Sequence, residues 1–99
     1  MNPHVQVDRK NISEFCRRNH IIKLAFFGSV LGEDFRPESD MDVLIEFERG
    51  REPGFMGLAR MERELSGILG RKADIRTPED LSRYFRDDVI ATAEVQYAA

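Results

Sequence analysis

The feature that most constrains this fold is a nearly continuous apolar run that ends in Gly28. A strand exposed on one face alternates apolar and polar side chains, whereas a strand covered on both faces can be apolar throughout. The run therefore predicts a central, buried strand over Ile21–Phe27. Because 99 residues suffice for one domain with one core, we expect residues 1–99 to form a single domain whose functional site lies on the same sheet.

Other segments predict a small sheet surrounded by helices. Over residues 41–47, Met41, Val43, Ile45 and Phe47 alternate with Asp42, Leu44 and Glu46, which predicts a strand with two distinguishable faces. Residues 72–76 predict a third, short strand. The predicted helices are an amphipathic one over residues 8–19, one with apolar spacing up to Gly70, one that begins at Thr77, and a last one that includes Val89, Ile90, Ala93 and Tyr97. The short link between the first two strands excludes a full crossover, so we expect an α/β domain with a mixed sheet of at least three strands.

Net charge and hydropathy limit the ligands and partners that this protein is expected to bind. The formal net charge is −3, with acids and bases mixed along the chain, which disfavours a broad nucleic-acid interface but leaves a small anionic ligand open. No apolar stretch is long enough to cross a bilayer or to act as a leader, so we expect a soluble, cytoplasmic protein without a membrane partner. Cys16, the single cysteine, falls in an apolar stripe and is interpreted as a core residue.

Two aspartates at the beginning of the second predicted strand are the first candidates for chemistry. Asp40 and Asp42 are two residues apart, so strand periodicity places both carboxylates on one face, about 7 Å apart at the backbone. Mg²⁺ prefers such oxygen ligands and leaves its remaining positions to water or phosphate. An Asp-x-Asp pair is also common on a solvated strand edge, so the pair alone does not define a site.

The end of the first predicted strand adds to this candidate site. Gly28 allows backbone N–H groups to approach an anion closely, and the hydroxyl of Ser29 adds a further donor. A plain strand-ending turn is the alternative. The aspartate pair on the next strand favours a phosphate-holding turn, because the turn and the acids would lie side by side at the strand ends.

A third acid is needed if two metal ions are bridged and an attacking hydroxyl is deprotonated. Asp74 is the best candidate, because its two neighbours in the short strand are apolar and would face the core while Asp74 faces the other side. Glu46 and Asp80 compete with it. Glu46 lies about 13 Å along the strand from Asp42, and Asp80 has a capping role that explains it without chemistry.

Together these residues resemble the DNA polymerase β-like nucleotidyltransferase superfamily. The similarity extends from about residue 22 to residue 97 and is greatest to the minimal nucleotidyltransferases, the antitoxins of HEPN/MNT toxin–antitoxin pairs. The segments that carry it are Gly28-Ser29, Asp40-Met41-Asp42 after ten further residues, and Ala73-Asp74-Ile75 after a helix.

The resemblance implies Mg²⁺-dependent transfer of a nucleoside monophosphate, AMP from ATP, onto a hydroxyl acceptor. The expected acceptor is a tyrosine of a HEPN toxin, which the transfer would silence. By position, Gly28 and Ser29 would hold the nucleoside triphosphate. Asp40, Asp42 and Asp74 would bind the metal ions and form the catalytic set, with Asp74 as the base.

One departure from the family keeps other hypotheses open. Many relatives carry an Arg-Gly pair where this chain has Gly32-Glu33, so an anion replaces a cation near the phosphates, and Arg36 is a candidate replacement. A binding-only antitoxin that masks its partner without turnover is therefore the second hypothesis. A stand-alone enzyme for a small molecule or tRNA fits the acidic charge less well, and a site-free α/β domain is the last alternative.

A protein acceptor requires a contact surface on this chain. The candidates are the last predicted helix, including Tyr97, and the pair Phe55 and Met56 after a polar turn. Apolar stripes on helices belong more often to the core. A homo-oligomer also stays open.

Overall fold

A computed structural model describes residues 8–28 and 40–99, and in this part of the chain one mixed sheet packs against helices. The strand order is β3-β2-β1-β4, with β1 antiparallel to β2 and β4, and β2 parallel to β3. The predicted fold class and the central position of the first strand are confirmed. The elements are α1 (Arg9–Arg18), β1 (Ile21–Phe27), β2 (Met41–Phe47), α2 (Phe55–Leu69), β3 (Ala73–Arg76), a 3₁₀ helix (Pro78–Asp80), α3 (Arg86–Thr92) and β4 (Glu94–Ala98).

Local signals explain where the first two helices begin and end. The side chain of Asp8 accepts a hydrogen bond from the backbone N–H of Asn11 and so caps α1. The residue after α2, Gly70, takes a left-handed conformation with φ 73°, which ends the helix. Helix α2 carries the chain from the end of β2 back to the beginning of β3, and this return makes their parallel pairing possible.

The core lies between the sheet and helices α1 and α2. Alternate residues of β2, Met41, Val43 and Ile45, belong to this core, as do Ile75 of β3 and Leu65 of α2. Period-two alternation then places the intervening residues of β2 and β3 on the opposite face of the sheet. The candidate site residues on these strands therefore lie on the face opposite to α1 and α2.

The end of the chain differs from the prediction. Helix α3 ends at Thr92, Ala93 is extended, and the following residues form β4 along β1. A single helix over residues 89–97 is therefore wrong. Residues 94–98 form backbone hydrogen bonds with β1. The spacing of apolar residues within this short segment cannot reveal such pairing. Tyr97 packs against the core from β4, so it is not part of an exposed helical contact surface.

The helix predicted after Thr77 is a single 3₁₀ turn over Pro78–Asp80. Asp80 Oδ2 accepts a hydrogen bond from the backbone N–H of Thr77 at 3.1 Å, which gives Asp80 the predicted capping role. Leu81 then turns extended and ends the element. Every helix within residues 8–28 and 40–99 is too short or too polar to span a bilayer.

The buried cysteine provides a probe of the core. Cys16 is fully buried, and burial raises the pKa of its thiol to about 12. We expect an alkylating reagent at neutral pH to react with the native protein at least about a hundredfold more slowly than with the denatured protein, because opening must precede thiolate formation. Equal rates, followed by mass spectrometry, would show that α1 does not pack on the sheet in solution.

Candidate functional site

Two of the three predicted acids are neighbours across β2 and β3. Asp42 lies directly opposite Asp74 in the parallel register. Side chains at opposite positions of paired strands lie on the same face, and the next pair along, Val43 and Ile75, lies in the core on the other face. The structure thus brings Asp42 and Asp74 together on the face opposite to α1 and α2.

The third predicted acid, Asp40, lies one residue before β2 and is half exposed. Its Oδ2 atom lies 3.9 Å from the Nζ atom of Lys72. Within residues 8–28 and 40–99, no three His, Cys, Asp or Glu side chains are grouped closely enough to hold a metal ion as they stand. The side chain of Asp40 would therefore have to turn away from Lys72 to share an ion with Asp42 and Asp74.

Neighbouring charges shift the pKa of Asp42 in opposite directions. The pKa of Asp42 is raised above its ordinary value, first by burial and then by the negative charge of Asp74, with a smaller contribution from Asp40. The guanidinium of Arg76 acts in the opposite direction. Crowded carboxylates of this kind gain from a divalent cation, and their hard oxygen atoms are the ligands that Mg²⁺ prefers. The residues present therefore fit a magnesium ion.

Gly28 closes this site from the side of β1. Phe27 lies opposite Asp42 in the β1–β2 register, so Gly28 follows at the level of the carboxylate. Its φ of 74° is left-handed, and a Cβ atom placed on it would lie 2.5 Å from Asp42 Oδ2. Glycine is thus required both by the backbone and by the closeness of Asp42. Ser29, the other predicted member of this turn, lies outside the described residues, as do Gly32, Glu33 and Arg36.

Sequence reasoning missed the basic side chains of the site. Arg76 Nη2 donates a hydrogen bond to Asp74 Oδ2 at 3.1 Å, and Lys72 faces Asp40. The signal for Arg76 was available, because it follows Asp74 by two residues in the same strand and so lies on the same face. The competing acid Glu46 faces Lys23 instead, with its Oε2 atom 3.8 Å from Nζ.

Comparison with known proteins identifies the family. The chain matches the family described as "Nucleotidyltransferase domain" over residues 9–96, and it belongs to that family. It is 30% identical over 90 residues to "Putative protein adenylyltransferase MJ0435" of Methanocaldococcus jannaschii, a match that covers 84% of this chain and 95% of that protein.

Solved structures support the same assignment. The chain in "Structure of putative minimal nucleotidyltransferase" is 33% identical, with a TM-score of 0.70 over 86% of this chain and 85% of that one. The chain in "Crystal structure of the toxin-antitoxin with AMP-PNP" has a TM-score of 0.74 over 94% of this chain and 75% of that one. At 15% identity, this second likeness shows the fold alone. The predicted family and enzyme class, a nucleotidyltransferase, are confirmed, whereas the roles of individual residues stay predictions.

Replacing Gly28 by Ala should destabilise the protein more than replacing Gly50 by Ala. Both glycines are left-handed, with φ of 74° and 80°, so each alanine carries a strain of about 1–2 kcal/mol. The new methyl group at residue 28 also collides with Asp42, whereas the one at residue 50 meets nothing within 4 Å. Chemical denaturation should show an additional loss of about 1 kcal/mol or more for Gly28→Ala.

The collision can be separated from the strain by a second substitution. In an Asp42→Ala background the two glycine variants should lose similar free energies of unfolding, because the carboxylate is gone. Equal losses already in the unmodified background would contradict the close approach of Gly28 and Asp42.

Replacing Asp42 by Asn should stabilise the metal-free protein by roughly 0.5 kcal/mol at neutral pH. The raised pKa in the folded state means that the ionised carboxylate costs stability at any pH above that pKa. The cost disappears below the unfolded pKa, where the group is protonated in both states. The difference in melting temperature between the variant and the wild type, measured with a chelator, should therefore shrink as the pH falls toward about 4.

The exposed Asp87 provides a control, because Asp87→Asn changes the net charge equally at a position away from β2 and β3. It should lower the melting temperature slightly or leave it unchanged, opposite to Asp42→Asn, because a carboxylate in the first turn of α3 interacts favourably with the helix dipole. A clear loss of stability in Asp42→Asn at neutral pH would instead show that the carboxylate is structural.

Proposed function

We propose that this chain is a Mg²⁺-dependent nucleotidyltransferase that transfers AMP from ATP to a tyrosine hydroxyl of a HEPN-type toxin and thereby acts as an antitoxin. The observation that carries the proposal is the Asp42–Asp74 pair beside Gly28, in a chain that belongs to the nucleotidyltransferase family. The relative named as a protein adenylyltransferase supports a protein acceptor. The toxin–antitoxin neighbour with AMP-PNP supports an adenine nucleotide and a toxin partner.

The carboxylates would hold the metal. Asp42 and Asp74 would bind Mg²⁺ from adjacent strands, and Asp40 would join them after leaving Lys72. A bound Mg²⁺ supplies positive charge that neutralises the carboxylates and the phosphate oxygens. Gly28, with Ser29 after it, would hold the triphosphate through backbone N–H groups close to Asp42.

The chemistry is a displacement at the α-phosphorus of ATP. The acceptor hydroxyl oxygen forms a bond to the α-phosphorus, the bond from that phosphorus to the bridging oxygen breaks, and pyrophosphate leaves. The proton of the hydroxyl passes to the carboxylate of Asp74. The protein contributes mainly position, because Asp42 and Asp74 lie opposite each other on paired strands and Gly28 directly follows β1.

The exposed pair Phe55 and Met56, a contact surface that the sequence suggested for a protein partner, lies far from the candidate site. Both side chains are exposed, at 86% and 80%, and begin α2. Asp42 lies at the beginning of β2, whereas α2 follows the end of β2, so the pair lies about 15–20 Å from Asp42 along the sheet. A partner bound there would have to reach along the sheet to place its tyrosine at the site.

The test is incubation of this chain with ATP, Mg²⁺ and a HEPN-type partner, followed by intact-mass measurement of both proteins. We expect the partner to gain mass in whole AMP units. Asp42→Asn and Asp74→Asn should reduce the rate at least about a hundredfold, because each removes a ligand of the metal, while Asp87→Asn should not.

The same experiment decides the alternative function. If the partner is inhibited on mixing but gains no mass with any nucleoside triphosphate, the chain is a binding-only antitoxin. Mass gain that persists in Asp42→Asn and Asp74→Asn would contradict the assigned site.

A further inference from the structure

Asp74 lies on an edge of the sheet. Strand β3 has four residues and pairs with β2 on one side. Backbone N–H groups alternate in direction along a strand. The N–H group of Asp74 points toward β2, so the N–H groups of Ala73 and Ile75 point away from it. A short edge strand held on one side is weakly fixed. The position of Asp74 relative to Asp42 therefore depends on what holds the outer side of β3.

Two side chains of α2 hold that outer side. The N–H of Ala73 donates to Ser66 Oγ at 2.9 Å, and the N–H of Ile75 donates to Glu62 Oε2 at 2.9 Å. The Ser66 hydroxyl in turn donates to the carbonyl oxygen of Glu62 at 2.6 Å, which fixes its direction. The residue between the two bonded amides is Asp74.

The geometry of a helix beside a strand explains this match. Glu62 and Ser66 are four residues apart, so they lie on one face of α2 and are separated by about 6 Å along the helix axis. The two amides are two residues apart on β3, about 6.6 Å. These lengths are close enough for both hydrogen bonds to form at once, one on each side of Asp74.

We propose that Glu62 and Ser66 are positioning residues, which hold Asp74 opposite Asp42 by binding the outer amides of β3. Neither side chain contacts the carboxylates; both act through the backbone. The role in metal binding rests on the proposed function, whereas the placement of Asp74 does not. Loss of either hydrogen bond frees one end of β3 and loosens the Asp42–Asp74 pair.

The test uses the full chain and Mg²⁺ alone, without nucleotide. Glu62→Ala and Ser66→Ala should raise the Mg²⁺ concentration at half of the melting-temperature shift about tenfold, because the two carboxylates no longer stay in register. Glu62→Gln keeps an acceptor oxygen and should restore the wild-type concentration within about twofold.

Glu64 provides the matched control. It lies on the same helix and pairs with Arg18, with Oε1 2.6 Å from Nη1, away from β3. Glu64→Ala should change the melting temperature without changing the Mg²⁺ concentration at half effect. An equal change in Glu64→Ala and Glu62→Ala would overturn the proposal, because it would mean that both act through general stability.

A second measurement separates this proposal from the proposed function. If wild type shows no Mg²⁺ effect, the metal site is wrong, but the side-chain carboxyl ¹³C signals of Asp42 and Asp74 still report their placement. Those signals should shift in Glu62→Ala and Ser66→Ala and return in Glu62→Gln. Unchanged signals in both alanine variants would overturn the positioning role. If Glu62→Ala does not fold, Ser66→Ala and Glu62→Gln decide the question.

Discussion

The register of β2 on β3 connects the core of this protein to its candidate site. The parallel pairing that sets Val43 beside Ile75 beneath the helices also sets Asp42 beside Asp74 on the other face. A slip of β3 by one residue would move Asp74 toward the apolar core and Ile75 out of it. Burial of the core therefore holds two like charges together, although those charges repel each other.

Most local parts of this structure and its mixed sheet could be predicted from the sequence, whereas several long-range contacts could not. The bounds of β1 and β2 were predictable because apolar runs and alternation are properties of one segment. The face of Asp74 followed from its apolar neighbours. Strand β4 was missed because residues 94–98 are strand only through their pairing with β1. The hydrogen bonds of Glu62 and Ser66 to β3 were also not predicted, because these residues come together only in the folded chain.

The acids of the candidate site are partly neutralised by neighbouring basic side chains. Arg76 lies against Asp74, and Lys72 lies near Asp40. Under the proposed function, a divalent ion would have to compete with at least the contact at Asp74, which would reduce the gain from each new metal–oxygen bond. Such a site would trade affinity for a folded state that tolerates neighbouring acids.

The covered outer side of β3 has a consequence for association between chains. Proteins often join by adding a strand to a free sheet edge, and the same edge can start aggregation. Here the amides that an incoming strand would need, those of Ala73 and Ile75, are already bonded to Ser66 and Glu62. A strand from another chain could bind at this edge only through side chains. The strand that carries Asp74 therefore resists pairing into an intermolecular sheet.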